Sequence, residues 1–221
     1  MERYYDDEIR LLSEKISTMG EAVQERLAQA VDALKRQDVN LARQTIAADE
    51  EIDRMELENE EYALALLARF QPQAGDLRFI TNAMKINAEL ERIADLAVDI
   101  CQRVEDLAGQ PLLKPLVDIP LLAEVAREMI RGAISSFVSR DVETAKTVIL
   151  KDAQADRLRN EVQRELVYDY MAKDGSTAPR AMPLLLISRH LERICDHATN
   201  IAEDVIYMVN AQVVKHHPER L

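Results

Sequence analysis

The chain has 221 residues, of which 48% are apolar and 31% charged, and its formal net charge is −12 at pH 7. This apolar content argues against intrinsic disorder, yet no apolar run reaches the roughly 18–20 residues that a membrane-spanning helix needs. The negative charge argues against a protein that binds nucleic acid or anionic lipid through a basic face. Because the first ten residues lack the basic start and apolar stretch of a signal peptide, we expect a cytoplasmic protein with no direct membrane insertion.

Three long helices are predicted in the first half of the chain. The first spans residues 2–36, and Asp38 is a suitable N-cap for the second, which continues to about residue 70. The Pro-Gln-Ala-Gly stretch at residues 72–75 interrupts the helical pattern. A third helix is predicted at about 76–107.

Residues 108–120 follow as a predicted linker, because they contain three of the seven prolines and no helical pattern. They divide the chain into a first domain, residues 1–107, and a second domain, residues 121–221. Each part is long enough to form a small core of its own.

The second half is predicted to contain three helices in the same order. They cover about 119–139, 141–173 and 179–214, and Asp141 is the expected N-cap of the middle helix. An Asp-Gly-Ser-Thr-Ala-Pro segment separates the last two, at the position that Pro-Gln-Ala-Gly takes in the first half.

The two halves are copies of one another. Residues 90–100 read LERIADLAVDI and residues 191–201 read LERICDHATNI, with seven of eleven positions identical. Apolar residues in both last helices recur at alternating steps of four and three, which places one apolar stripe toward neighbouring helices. Because short connections make sequential helices antiparallel, the predicted fold is all-α, with a tandem pair of pseudo-symmetric three-helix bundles built from six long helices.

Acidic residues recur at helical spacing beside the apolar stripe of the first copy. Asp49 and Asp53 precede the hairpin break by about as many residues as Glu91 and Asp95 follow it, and Asp99 lies one turn further. Residues four apart share one helix face, so the two pairs are expected to meet at similar height on antiparallel helices.

The second copy repeats this arrangement with one difference. Its acids are Asp152, Asp156, Glu192 and Asp196, but Asn200 takes the place of the third acid of the last helix. Acid pairs on one helix are common on solvated faces, whereas pairs that recur in two copies and converge across a hairpin favour a site. Carboxylate clusters suit hard cations such as Mg²⁺, Mn²⁺ and iron, so two surface metal sites are predicted.

Other classes of function are less well supported by the sequence. A buried di-iron oxidase would need Glu-x-x-His pairs, which are absent, and His190 and His197 are interpreted as polar residues on the helix surface. Arg92 and Arg193 favour structural ion pairs over contacts with an anionic ligand. With no phosphate loop and no nucleophile–base arrangement, an enzyme is not expected; the alternatives are a carboxylate-bridged metalloenzyme of a helical-bundle type and a metal-free scaffold.

The doubled motif Asp-x-x-x-Asp followed by Leu-Glu-Arg-Ile-x-Asp-x-Ala resembles the PhoU family over essentially the whole chain. The resemblance implies a cytoplasmic regulator that restrains phosphate uptake and represses the phosphate-starvation response. The expected partners are the phosphate sensor histidine kinase and the ATP-binding subunit of the phosphate ABC transporter, between which the protein would act as an adaptor, and a second copy in a homodimer.

The resemblance also implies metal ions as cofactors, with iron, manganese, magnesium or zinc as the candidates. The expected ligands lie in the acidic motifs of both copies: Asp49, Asp53, Glu91, Asp95, Asp99, Asp152, Asp156, Glu192, Asp196 and Asn200.

Overall fold

The computed structural model describes residues 2–215, with side chains described from Tyr5 onward. No strand occurs in this range, and seven α-helices follow one another: α1 (Glu2–Arg36), α2 (Val39–Ala47), α3 (Glu50–Phe70), α4 (Ala74–Asp106), α5 (Asp118–Ser139), α6 (Val142–Arg164) and α7 (Ala178–Asn210). The predicted all-α fold class is therefore confirmed.

The second predicted helix is divided into α2 and α3. Asp38 caps α2 as expected, because its side chain accepts hydrogen bonds from the backbone N–H groups of Asn40 and Leu41, each at 3.0 Å. The helix is then interrupted at residues 48–49, and Asp49 precedes α3 without a side-chain capping bond. The predicted continuous helix missed this break, which lies at the first of the predicted metal ligands.

The second copy has no such break but departs from α-helical geometry later. α6 begins after the N-cap Asp141, as predicted, and ends at Arg164. A π-helical segment then continues to Met171, so the predicted α-helix to residue 173 is partly a π-helix. α7 ends at Asn210, not at 214, because Ala211 adopts a left-handed conformation with φ of 55°.

Two bundles share one continuous core. The first combines α1, α2, α3 and α4, the second combines α5, α6 and α7, and α4 packs along α7 while α1 packs along α5. The apolar stripes of both last helices are buried as predicted: Ile86, Leu90, Ile93, Ala97, Ile100 and Val104 in α4 with Leu107 at its C-cap, and Ile187, Leu191, Ile194, Ala198, Ile201, Val205 and Met208 in α7. None of the described helices combines the length and apolar content needed to cross a membrane.

One polar residue interrupts the apolar stripe of α3, and its hydrogen bonds explain why it is tolerated. Asn59 is buried and donates to Asn87 Oδ1 at 2.9 Å, while Asn87 donates to the backbone carbonyl of Glu56 at 2.9 Å. Buried amides need such partners. The second copy has Val162 and Ser188 at the corresponding positions, so this link between α3 and α4 belongs to the first copy.

Candidate functional site

The predicted acids of the first copy converge between α3 and α4. Asp49 and Asp53 lie at the start of α3, and Glu91 and Asp95 lie on α4, which packs against it. Burial raises the pKa of Asp49 to about 6, and the charges of Asp53 and Asp95 add to this effect while Arg26 opposes it. Such mutual effects are expected of carboxylates that lie close together in a partly dehydrated place.

Glu56, which was not predicted, belongs to the same group. Burial raises its pKa, and the charges of Asp53 and Asp95 add to the shift. Burial also raises the pKa of Glu91, with further contributions from Asp95, Glu56 and Asp53. Glu56 lies three residues after Asp53, on the same helix face, but the second copy has no acid at the corresponding position, so the repeat does not indicate it. We call Asp49, Asp53, Glu56, Glu91 and Asp95 acidic cluster 1.

Arg92 lies beside acidic cluster 1 but makes no hydrogen bond to its carboxylates. Its Nε is 3.5 Å from Glu91 Oε2 and its Nη1 is 3.6 Å from Asp95 Oδ2. Its side chain is 62% exposed, and exposed ion pairs of this kind contribute little because water and salt screen them. The expected ion-pairing role of Arg92 is therefore met by loose contacts.

The predicted acids of the second copy converge in the same way, between α6 and α7. Burial raises the pKa of Asp152 to about 6, and the charges of Asp196, Asp156 and Glu192 add to the shift. Burial also raises the pKa of Asp196, followed by the charges of Glu192 and Asp156. We call Asp152, Asp156, Glu192 and Asp196 acidic cluster 2.

An internal cation distinguishes acidic cluster 2 from acidic cluster 1. Glu192 is 8% exposed, which makes it the most buried of the ten predicted ligands. Its Oε1 accepts a hydrogen bond from Arg159 Nη2 at 2.9 Å. At the repeat offset of 103 residues, Arg159 corresponds to Glu56. The same position therefore adds a negative charge to acidic cluster 1 and a positive charge to acidic cluster 2.

Asp99 and Asn200 make contacts with the opposite bundle. Asp99 Oδ2 lies 3.6 Å from His190 Nδ1 on α7, and Asn200 donates to Glu89 Oε2 on α4 at 3.2 Å. Glu89 Oε2 also lies 2.6 Å from His197 Nδ1. The two predicted third ligands thus line the contact between α4 and α7, whereas the other eight form the two acidic clusters.

The two histidines of this contact differ in their environment. Burial lowers the pKa of His190, so at neutral pH its contact with Asp99 joins a neutral ring to a carboxylate. Although burial alone would raise the pKa of Glu89, hydrogen bonds from His197 and Asn200 lower it below its usual value. The interpretation of both histidines as helix-surface residues is wrong, because each side chain is only 17% exposed and contacts α4 from α7. Neither histidine belongs to an acidic cluster.

The donor atoms of both clusters fit a hard cation. They are carboxylate oxygens without thiolate or imidazole, which suits magnesium, manganese or iron better than zinc. In the part of the chain that the structure describes, no group of three or more His, Cys, Asp or Glu side chains has an arrangement that could hold a metal ion. The donor chemistry fits, and metal binding at the ten predicted residues stays a prediction.

Comparison with known proteins covers both copies. A family model described as the PhoU domain matches twice, at residues 16–104 and 119–205. The phosphate-specific transport system accessory protein PhoU homolog of Aquifex aeolicus is 40% identical over 209 residues, which are 95% of this chain and 94% of that protein. The phosphate-specific transport system accessory protein PhoU of Escherichia coli K12 is 31% identical over 212 residues, which are 96% of this chain and 88% of that protein.

Solved structures share the fold along almost the whole chain. The crystal structure of PhoU from Pseudomonas aeruginosa matches with a TM-score of 0.90 and 33% identity, over 94% of this chain and 100% of that one. The phosphate transport system regulatory protein PhoU from Streptococcus pneumoniae matches with a TM-score of 0.88 and 27% identity, over 95% and 99%. The tandem arrangement of bundles is therefore shared with experimentally determined structures.

Proposed function

This chain belongs to the PhoU family, and on that premise we propose that it is a cytoplasmic, non-catalytic regulator that restrains phosphate uptake and represses the phosphate-starvation response. The observation that carries the proposal is the match of both repeats to the family, together with relatives named as accessory proteins of the phosphate-specific transport system. A role beside the transport machinery follows from that name.

The proposed mode of action is that of an adaptor. The protein binds the ATP-binding subunit of the phosphate ABC transporter and the phosphate sensor histidine kinase when phosphate is plentiful, and it does so as a homodimer. Exposed leucines on α3 support a contact surface, because Leu57 and Leu64 lie seven residues apart on one helix face and are 62% and 50% exposed.

Metal ions belong to the same proposal. Acidic clusters 1 and 2 hold divalent or trivalent cations, which relieve the repulsion between their carboxylates and stiffen the pairs α3–α4 and α6–α7. Burial raises the pKa of Asp49 and of Asp152 to about 6, and this shared feature supports one cation site in each copy. Bound cations would favour the ionised acids and release protons at neutral pH.

Deletion of the gene tests the regulatory part of the proposal. We expect a phosphate-starvation reporter, silent in wild-type cells at high phosphate, to become active in the deletion strain and to be silenced again by the restored gene. A reporter that stays silent at high phosphate without the gene would contradict the proposal.

The adaptor part is tested by co-purification from cells grown at high phosphate. The wild-type protein should retain both partners, and charges introduced by Leu57→Asp with Leu64→Asp should weaken retention of at least one. Glu50→Gln, also exposed on α3, is the control. Retention of neither partner by the wild type would contradict the adaptor role while leaving the reporter result untouched.

A further inference from the structure

The two acidic clusters differ in charge at one equivalent position, which is Glu56 in the first copy and Arg159 in the second. Glu56 on α3 adds to the repulsion felt by Glu91 in acidic cluster 1. Its counterpart Arg159 on α6 instead donates a hydrogen bond of 2.9 Å to Glu192, the counterpart of Glu91. A substitution of an acid by a base at equivalent places changes the local charge by two units.

Arg159 is held in place by several acceptors. Its Nη1 donates to Asn160 Oδ1 at 2.8 Å and to Gln163 Oε1 at 3.2 Å, while its Nη2 donates to Glu192 Oε1 at 2.9 Å. Both partners of the ion pair are shielded, with 23% of the Arg159 side chain and 11% of the Glu192 side chain exposed. Water therefore screens the ion pair between Arg159 and Glu192 less than it screens an exposed pair.

The position of Arg159 nevertheless leaves one donor unused. Its Nε is buried and has no hydrogen-bond acceptor among the described residues. A buried donor without an acceptor costs free energy, and this cost offsets part of the stabilisation that Arg159 gains from its hydrogen bond to Glu192. A cation that takes over Glu192 would let Arg159 turn toward solvent, where water satisfies all its donors.

The cations beside acidic cluster 1 do not take a comparable position. Arg26 directs its Nη2 at 2.9 Å to Glu51, which lies outside the cluster, and Arg92 stays 3.5 Å or more from its carboxylates. In the described part of the chain, no arginine or lysine hydrogen-bonds to a carboxylate of acidic cluster 1. The five carboxylates of that cluster therefore keep a surplus of negative charge, which Arg92 and Arg26 offset only in part.

We propose that the Arg159 guanidinium occupies acidic cluster 2 as an internal cation, so that divalent cations fill acidic cluster 1 first and enter acidic cluster 2 only by displacing Arg159 from Glu192. This inference rests on the proposed cation sites and adds an order of filling to them. The difference between Asp99 and Asn200, which the sequence shows, does not set this order, because both residues contact the opposite bundle.

Titration of the metal-free full chain with Mn²⁺ by calorimetry tests this order. Glu192→Gln with Asp196→Asn leaves cluster 1 alone, and Glu91→Gln with Asp95→Asn leaves cluster 2 alone. Arg159 is hydrogen-bonded to a carboxylate of the second site, whereas Arg92 and Arg26 make no such bond at the first. We therefore expect cluster 1 to bind Mn²⁺ about tenfold more tightly.

Removing the internal cation should abolish most of this difference. Arg159→Gln in the protein with cluster 2 alone should tighten the Mn²⁺ dissociation constant by about tenfold. Arg157→Gln is the matched control, since Arg157 is exposed on the same helix two residues away, and it should leave the constant unchanged. Equal Mn²⁺ affinity in the Arg159→Gln and Arg157→Gln proteins would overturn the inference.

Arg159→Gln leaves the buried Glu192 without its cation and could destabilise the fold. The converse substitution at the equivalent position of the first copy therefore provides a second test. Glu56→Arg in the protein with cluster 1 alone should weaken Mn²⁺ binding by about tenfold, with the helical circular dichroism unchanged. Unchanged binding in that variant would also overturn the inference. Absence of Mn²⁺ binding to the wild-type chain would instead remove the proposed cation sites themselves, so the two failures are distinguishable.

Discussion

Burial and mutual repulsion act together on single carboxylates in both copies. Asp49 and Asp152 occupy equivalent positions, and in each case burial is the largest cause of a pKa raised to about 6, with neighbouring acids adding to it. The metal-free protein therefore takes up protons at these residues in a pH range where exposed aspartates are fully ionised. Proton uptake and cation binding are alternative ways of relieving the same repulsion.

Asp49 gives a pH dependence of stability whose sign follows from its raised pKa. The folded protein binds this proton below about pH 6 and the unfolded chain only near pH 4, so this group stabilises the fold increasingly as pH falls between these values. In metal-free buffer at pH 7, Asp49→Asn should raise the free energy of unfolding by about 1 kcal/mol. This gain is smaller than the pKa shift alone implies, because water screens the partly exposed carboxyl. Urea unfolding at pH 7 and pH 5 measures this.

The gain from Asp49→Asn should shrink at pH 5, because the wild-type carboxyl is then largely protonated. Glu50→Gln, an exposed neighbour, serves as the control and should show no such pH-dependent gain. A loss of stability at pH 7 on changing Asp49 would contradict the raised pKa.

Residues that repeat in both copies could be predicted from the sequence, and those that differ could not. The eight clustered acids follow from helix spacing and the hairpin, which any pair of antiparallel helices obeys. The roles of Glu56 and Arg159 could not be predicted in this way, because the two copies have different residues at this position. The contacts of Asp99 and Asn200 depend on how α4 packs along α7, and no spacing within one helix reveals that.

At the scale of elements, local signals located most helix starts. Asp38 and Asp141 both cap their helices, as their positions before apolar periodic segments predict. The break at residues 48–49 and the π-helical segment Glu165–Met171 carry no proline or glycine to mark them. Both lie against other helices, since α2 packs against α4 and the π-helical segment against α7, and local sequence does not reveal such contacts.

The cap of α2 provides a test of how this element is held. Asp38→Ala removes the acceptor for two backbone N–H groups and should lower the free energy of unfolding by about 1 kcal/mol. Asp38→Asn keeps an acceptor oxygen and should lose much less. Chemical denaturation of the three proteins gives the comparison, and equal stability of the alanine and wild-type proteins would contradict the capping role.

At the scale of the whole molecule, two helix pairs join the bundles into one core. α4 lies along α7, α1 lies along α5, and Phe79 of α4 stacks on Phe137 of α5 with 5.3 Å between ring centroids. A shared core makes the two acidic clusters parts of one cooperative unit. Both repeats are therefore expected to unfold together.

Gly20 of α1 lies against Ile134 of α5. A Cβ atom there would overlap the side chain of Ile134, so Gly20→Ala should overpack the contact between bundles and destabilise the fold by about 1–3 kcal/mol. Gly175→Ala is the control, because nothing lies within 4 Å of its added Cβ. Thermal unfolding of both variants measures the difference.

A single unfolding transition that moves to lower temperature in Gly20→Ala is the expected outcome. Two separate transitions, or a Gly20→Ala protein as stable as Gly175→Ala, would contradict a continuous core shared by both bundles.

The most direct test of the central claim, that the paired acidic clusters are cation sites, is the metal content of protein purified from cells without added chelator. Mass spectrometry of the digested protein should find bound metal in the wild type, less of it in Glu91→Ala with Asp95→Ala, a smaller reduction in Glu192→Ala with Asp196→Ala, and least with all four changes. The same metal content in the wild type and in the fourfold variant, or none in the wild type after incubation with Mn²⁺ and removal of the excess, would contradict the claim.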